Sequence, residues 1–110
     1  MDESLERNIW NILSMAQRAR LVASGGLAVE QAAKNGQAKL MLIAEDAEKN
    51  SREKYLELAD RYGIPYQTAL SREKLGACLG KEYRAAAVLL DAGFSKSLMR
   101  LFEEGKIKRG

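Results

Sequence analysis

Lys39-Leu40-Met41-Leu42-Ile43-Ala44 is an unbroken apolar run behind a single lysine, strand-sized and free of glycine and proline. Apolar residues stand at both odd and even positions, which predicts a central strand covered on both faces; a half-exposed strand would alternate. Downstream, Ala85-Ala86-Ala87-Val88-Leu89-Leu90 predicts a second buried strand, closed by Asp91-Ala92-Gly93. Two shorter extended pieces flank these. Leu21-Val22-Ala23 precedes Ser24-Gly25-Gly26, and Ile64-Pro65-Tyr66-Gln67 places a proline where a strand start or a sheet edge suits it best.

Strands covered on both faces need helices, and the segments between them supply the helical period. Leu5, Ile9, Ile12, Leu13 and Ala16 fall at three- and four-residue steps in the first segment, with Trp10 beside them. A second helix opens after Gly25-Gly26, turns Val29, Ala32 and Ala33 inward and stops at Gly36. Asn50 with Glu53 three residues on predicts an N-cap and its capping-box partner. That helix is expected to bury Tyr55, Leu58, Ala59 and Tyr62, ending at Gly63. Ser71 caps a short helix carrying Leu75, Cys78 and Leu79, and the last helix lines up Phe94, Leu98, Leu101 and Phe102. Helices alternating with short strands predict an α/β chain, a three-layer α/β/α sandwich around a four-stranded sheet. The pattern leaves a mixed and a parallel sheet open, and we take mixed as the expectation. Residues 1–105 are expected to form a single domain, with 106–110 a frayed basic tail.

A chain of 110 residues can bury one core without disulfides or metals. Hydrophobic residues at 46% and charged residues at 30% are the balance of a folded chain. Eighteen Lys and Arg against 15 Asp and Glu leave a formal charge of only +3, which permits a nucleic-acid partner without requiring one. Histidine is absent, and with it the commonest general base and metal ligand. The lone Cys78 cannot close an internal disulfide, no apolar run reaches membrane-spanning length, and the acidic start lacks signal-peptide character. A cytoplasmic protein with no membrane partner is the expectation.

Little here supports catalysis. Asp46 and Asp91 each follow a strongly apolar strand, where open α/β sheets often hold ligands. No nucleophile or base stands near either in sequence, so each reads better as a loop residue bonding backbone N–H groups. Cys78 lies on an apolar helix face and reads as a buried, inert thiol. No catalytic residue, metal ligand, cofactor or small-molecule substrate is expected. Gly25-Gly26 at a helix start would suit an anion, since free N–H groups and the positive dipole end meet there, although two glycines also make a plain turn. Lys81, Tyr83 and Arg84 form a basic cluster with an aromatic interleaved, which reads either as a solvated loop or as a binding loop.

Together these pieces resemble a known family. Gly36-Gln37-Ala38-Lys39-Leu40-Met41-Leu42-Ile43-Ala44-Glu45-Asp46 is similar to the signature strand and loop of the ribosomal protein L7Ae and L30e family. The spacing back to Ser24-Gly25 fits, as do Leu75-Gly76-Ala77-Cys78-Leu79-Gly80-Lys81-Glu82 and Asp91-Ala92-Gly93-Phe94. The resemblance spans roughly residues 8–102 and is nearest to the small bacterial YlxQ-like branch. It implies an α/β/α sandwich and a non-enzymatic, ribosome- or translation-associated protein. The implied partner is structured RNA, ribosomal or otherwise, of the kink-turn type: a sharply bent duplex with tandem sheared G·A pairs. The implied surface comprises Gly25, Gly26, Leu27, Ala28 and Gln31 at the helix start, Glu45 and Asp46 in the loop, and Tyr83 and Arg84. Lys34, Lys39 and Lys81 add phosphate attraction.

The sequence departs from the strongest kink-turn binders at the readout positions. Those carry Asn-Glu after the helix-opening glycine and Lys one turn later; here Leu27, Ala28 and Gln31 stand there, and Leu21 replaces a basic residue after Arg20. Weakened motif readout follows. The alternative is a protein-interaction module that kept the fold and lost specific RNA binding, as growth-arrest stress proteins of the superfamily use it for protein contacts.

Overall fold

The computed structural model describes residues 3–109, and side chains over residues 3–105. Its elements alternate: α1 (Glu3–Arg18), β1 (Val22–Ser24), α2 (Gly26–Lys34), β2 (Leu40–Ile43), α3 (Lys49–Tyr62), β3 (Tyr66–Thr68), α4 (Arg72–Cys78), β4 (Ala86–Leu89) and α5 (Ala92–Arg109). One four-stranded sheet runs in the order β1-β4-β2-β3. It is mixed: β4 is antiparallel to both β1 and β2, and β3 is parallel to β2. A parallel pair needs a crossover, and α3 supplies it. Helices α1, α4 and α5 pack together on one side, and α2 packs against α3 on the other. The result is the expected α/β/α sandwich.

Burial follows the apolar pattern. Every residue of β2 and β4 is buried, so each strand is sandwiched between helical layers. Ile9, Leu13 and Ala16 are the buried stripe of α1, while Val29, Ala32 and Ala33 are that of α2. Each fully buried Leu or Ile contributes about 1.5–3 kcal/mol relative to exposure, which makes this double-sided sheet the main source of stability. Gly36 (φ +73°) and Gly63 (φ +65°) adopt the left-handed conformation that terminates the helices before them. Ser71 caps α4 through its side chain, accepting from Lys74 N–H at 3.1 Å.

Two local readings are corrected. Helix α3 is capped at Glu48, which is extended and makes no side-chain cap bond, so Asn50 lies inside the first turn and the capping box does not form. The chain returns sharply after β2, Ala47 N–H donating to Ala44 O, and the helix can therefore start earlier. Tyr62 is 38% exposed, because it ends α3 just where Gly63 turns the chain away. Helix α5 continues through Gly105 to Arg109. A Cβ on Gly105 would lie 2.9 Å from Leu5 Cδ2, so this glycine serves the close approach of α1 and α5. The side chains of the basic segment 106–110 lie outside the described residues.

Candidate nucleic-acid interface

The antiparallel pairing of β4 with its neighbours determines which loops meet. Ser24 pairs with Ala87, Ile43 pairs with Ala86, and Ala44 N–H donates to Ala85 O at 2.8 Å. The ends of β1 and β2 therefore lie beside the start of β4. The start of α2, the loop at Glu45-Asp46 and the loop carrying Lys81, Tyr83 and Arg84 converge on one end of the sheet. The same register separates Asp46 from Asp91, since β2 and β4 run in opposite directions, and the two carboxylates cannot form a pair.

At the start of α2, Gly25 is the N-cap (φ +89°, ψ 147°) and makes no side-chain cap bond. The first intrahelical bond is Val29 N–H to Gly25 O at 3.0 Å, and the first turn holds no acidic residue. The amides ahead of it and the positive end of the dipole thus face outward without a built-in anion. Leu27 is 72% exposed, and Ala28 and Gln31 are also exposed. A Cβ on Gly26 would stand 3.7 Å from both Lys54 Nζ and the Tyr55 hydroxyl. Lys54 and Tyr55 of α3 thus belong to this face, and neither is expected there from the sequence. The helical period marks Tyr55 as a core residue, but only tertiary packing brings its hydroxyl to the helix start. Burial pushes the Tyr55 phenol up, opposed by the nearby Arg84 charge.

The Glu45-Asp46 loop is held from three sides. Glu45 N–H donates to Leu70 O at 2.8 Å, Arg52 donates to Glu45 O at 2.8 Å, and Arg72 N–H donates to Asp46 Oδ1 at 2.7 Å. The backbone bond from Arg72 holds the Asp46 carboxyl below its usual range. Asp46 thus fixes the start of α4, as Asp91 fixes α5 by accepting from Phe94 N–H at 2.9 Å. Leu70 is fully buried at φ +65°, a strained conformation for a leucine, and its carbonyl supports this loop.

Arg84 ties the third loop to the first. Its Nε donates to Ser24 Oγ at 3.2 Å, and a second guanidinium nitrogen donates to Tyr83 O at 2.8 Å. Tyr83 is 61% exposed beside it. The loop lies directly over α4 because position 76 is glycine: a Cβ there would come within 2.7 Å of Glu82 O and 2.9 Å of Tyr83 Cα. Lys81 is exposed on the same loop, its N–H donating to Gly76 O at 2.8 Å.

Two expected residues fall elsewhere. Lys34 sits in the last turn of α2, about 12 Å along the helix from its start, and pairs with Glu30 at 3.1 Å. Lys39 precedes β2 at the opposite end of the sheet, where its N–H donates to Leu89 O at 2.8 Å. Sequence proximity to the signature strand suggests it; strand direction places it away.

Cys78 is 6% exposed, and burial pushes its thiol up to about 12. Native protein at mildly alkaline pH is expected to leave an aromatic disulfide reagent unreacted over minutes and to react stoichiometrically once unfolded in guanidinium. Rapid labelling of the native state would contradict the burial. No helix among the described residues is long and apolar enough to cross a membrane.

A family model described as the ribosomal protein L7Ae/L30e/S12e/Gadd45 family matches residues 7–99. The chain is 38% identical over 92 residues to the RNA-binding protein YlxQ of Bacillus subtilis, covering 84% of this chain and 92% of that protein. It is 31% identical over 98 residues to the large ribosomal subunit protein eL8 of Cenarchaeum symbiosum, covering 88% and 78% respectively. Among solved structures, a Bacillus halodurans protein of unknown function superposes with a TM-score of 0.80 at 34% identity, over 86% of this chain and 96% of that one.

Proposed function

This chain belongs to the ribosomal protein L7Ae/L30e/S12e/Gadd45 family, and from that premise we propose that it is a non-enzymatic RNA-binding protein acting on structured, kink-turn-like RNA in association with translation. Residues 1–105 act as one binding domain in this reading. The supporting observation is the convergence of three loops on one end of the sheet, two of them tied by the Arg84–Ser24 hydrogen bond. The open start of α2 meets phosphate oxygens with its amides, and Lys54, Lys81 and Arg84 add positive charge around it. Tyr83 offers a ring on which an unstacked base can rest. The names of the Bacillus and Cenarchaeum relatives point the same way, toward RNA and the ribosome. The readout positions hold Leu27, Ala28 and Gln31, so affinity rests mainly on backbone contacts and discrimination between RNA folds is small.

Arg84→Ala tests this directly. The variant is expected to weaken binding to a kink-turn hairpin and to a plain duplex by a similar factor, roughly tenfold for one charge-assisted phosphate contact. The log–log salt slope is expected to become shallower by about 0.9. Arg84→Lys keeps the charge and retains most of the affinity. Unchanged affinity in Arg84→Ala, measured by fluorescence anisotropy, would remove this loop from the interface. The exposure of Leu27 favours a second reading, a protein-interaction surface, which takes over if no RNA binds native protein at low salt.

A further inference from the structure

We propose that the depression where α5 passes the entrance to β2 is a second RNA contact, one that takes the sugar–phosphate backbone without reading sequence. It lies at the opposite end of the sheet from the interface above and shares no residue with it. The depression has a volume of about 430 Å³ and is lined by Lys39, Lys96, Arg100 and Met99 among others; Glu103 is its one acidic residue. Lys96 and Arg100 stand four residues apart on α5, hence on one face and about one turn apart. Lys39 faces them from a different element. All three cations are exposed. Among the described residues, ion pairs engage Lys34, Arg61, Arg72 and Lys74, which leaves these three without a carboxylate partner. Lys39 makes only a long 3.5 Å contact to Gly36 O.

The lining selects the ligand class. Three cations against the single carboxylate of Glu103 call for a polyanion, and a net charge of only +3 makes such a concentration uneven over the surface. No aromatic ring lines the depression, so an unstacked base finds no platform there, and the one hydroxyl, Ser95 Oγ, already donates to Asp91 O at 2.7 Å. An acidic protein segment would want a pocket for a large anchoring side chain, and the apolar side chains lining this one, Ala92 and Met99, offer no aromatic or branched aliphatic wall to hold it. Phosphates need neither. Two contacts at opposite ends of a molecule measuring 34 × 30 × 27 Å let it hold two RNA segments at once, or both arms of one bent RNA.

The test uses the full chain and a blunt RNA duplex without a kink-turn, titrated by anisotropy over a series of KCl concentrations. The triple variant Lys39→Ala, Lys96→Ala, Arg100→Ala is expected to lose roughly tenfold or more in duplex affinity at low salt. Its log–log salt slope is expected to be shallower by between about 2 and 3, close to 0.9 for each phosphate that is no longer neutralised. The same factor is expected when the three changes are made in an Arg84→Ala background, because separate faces contribute independently. Unchanged duplex affinity, or an effect that disappears in the Arg84→Ala background, would overturn the proposal. So would native protein that binds polyglutamate and not the duplex. The kink-turn-to-duplex affinity ratio, measured alongside, reports separately on the interface proposed above. A Lys39→Glu single variant with an unchanged melting temperature provides a second reading of the same weakening.

Discussion

Changing Leu27→Asn, Ala28→Glu and Gln31→Lys together is expected to raise the kink-turn-to-duplex affinity ratio at fixed salt by at least about tenfold. Replacing the G·A pairs in the RNA is expected to abolish that gain. The reason lies at the start of α2. Residues 27 and 28 follow the uncapped Gly25-Gly26 turn, residue 31 lies one turn beyond residue 27, and all three side chains are exposed. Side chains on a helix lean toward its N-terminus, so polar groups here are carried forward with the amides into a groove. Each well-formed bidentate base contact discriminates by about 1–3 kcal/mol, and the native residues retain only the Gln31 amide. The substitutions also suit the fold: a glutamate in the first turn of a helix that has no acid there is favourable by about 0.3–1 kcal/mol. An unchanged urea midpoint in the variant would exclude unfolding as the cause of any weaker binding. A ratio that does not rise would move the readout away from this helix. A high ratio in native protein would assign recognition to the other two loops.

Gly76→Ala is expected to destabilise the protein by about 1–3 kcal/mol and to weaken RNA binding more than Arg84→Ala does. The methyl group would meet Glu82 O at 2.7 Å, Glu82 C at 2.8 Å and Tyr83 Cα at 2.9 Å, all backbone atoms that no rotamer change can move. The loop must lift, and Tyr83 and Arg84 with it. Alanine's better helix propensity offsets up to about 1 kcal/mol in a free helix, so a net loss identifies the steric contact as dominant. Urea denaturation measures the first effect and anisotropy the second. Gly80→Ala is the comparison: its φ is +71° but its Cβ would enter open space, so it strains the turn without displacing the loop. A Gly76→Ala protein as stable as native would show that the loop is not pinned as described.

The residues that made the fold legible are those whose chemistry acts locally. Leu40 to Ile43 and Ala86 to Leu89 announce buried strands because both faces are apolar, and Ser71 announces a helix because its hydroxyl bonds an amide three residues on. The start of α2 was legible for the same reason. Strand direction was not, since apolar runs carry no polarity; hence the separation of Asp46 from Asp91, and of Lys39 from the loops near it in sequence. Lys54 and Tyr55 reach Gly26 across the α2–α3 contact, a meeting that no spacing within one helix encodes. Asn50 had the right residue type for a cap, but the tight return at Ala44–Ala47 started the helix before it.

The sheet's outer strands, β1 and β3, are three residues each, and Pro65 stands immediately before the first residue of β3. An outer strand offers unpaired amides and carbonyls to any passing chain, and a long flat one templates aggregation. Three residues offer too little ladder for a stranger to hold, and a proline at the threshold cannot donate to an extension upstream. The longer strands, whose apolar runs would be the most adhesive, are both interior. Protection against edge-to-edge pairing between molecules is therefore built into the strand order itself.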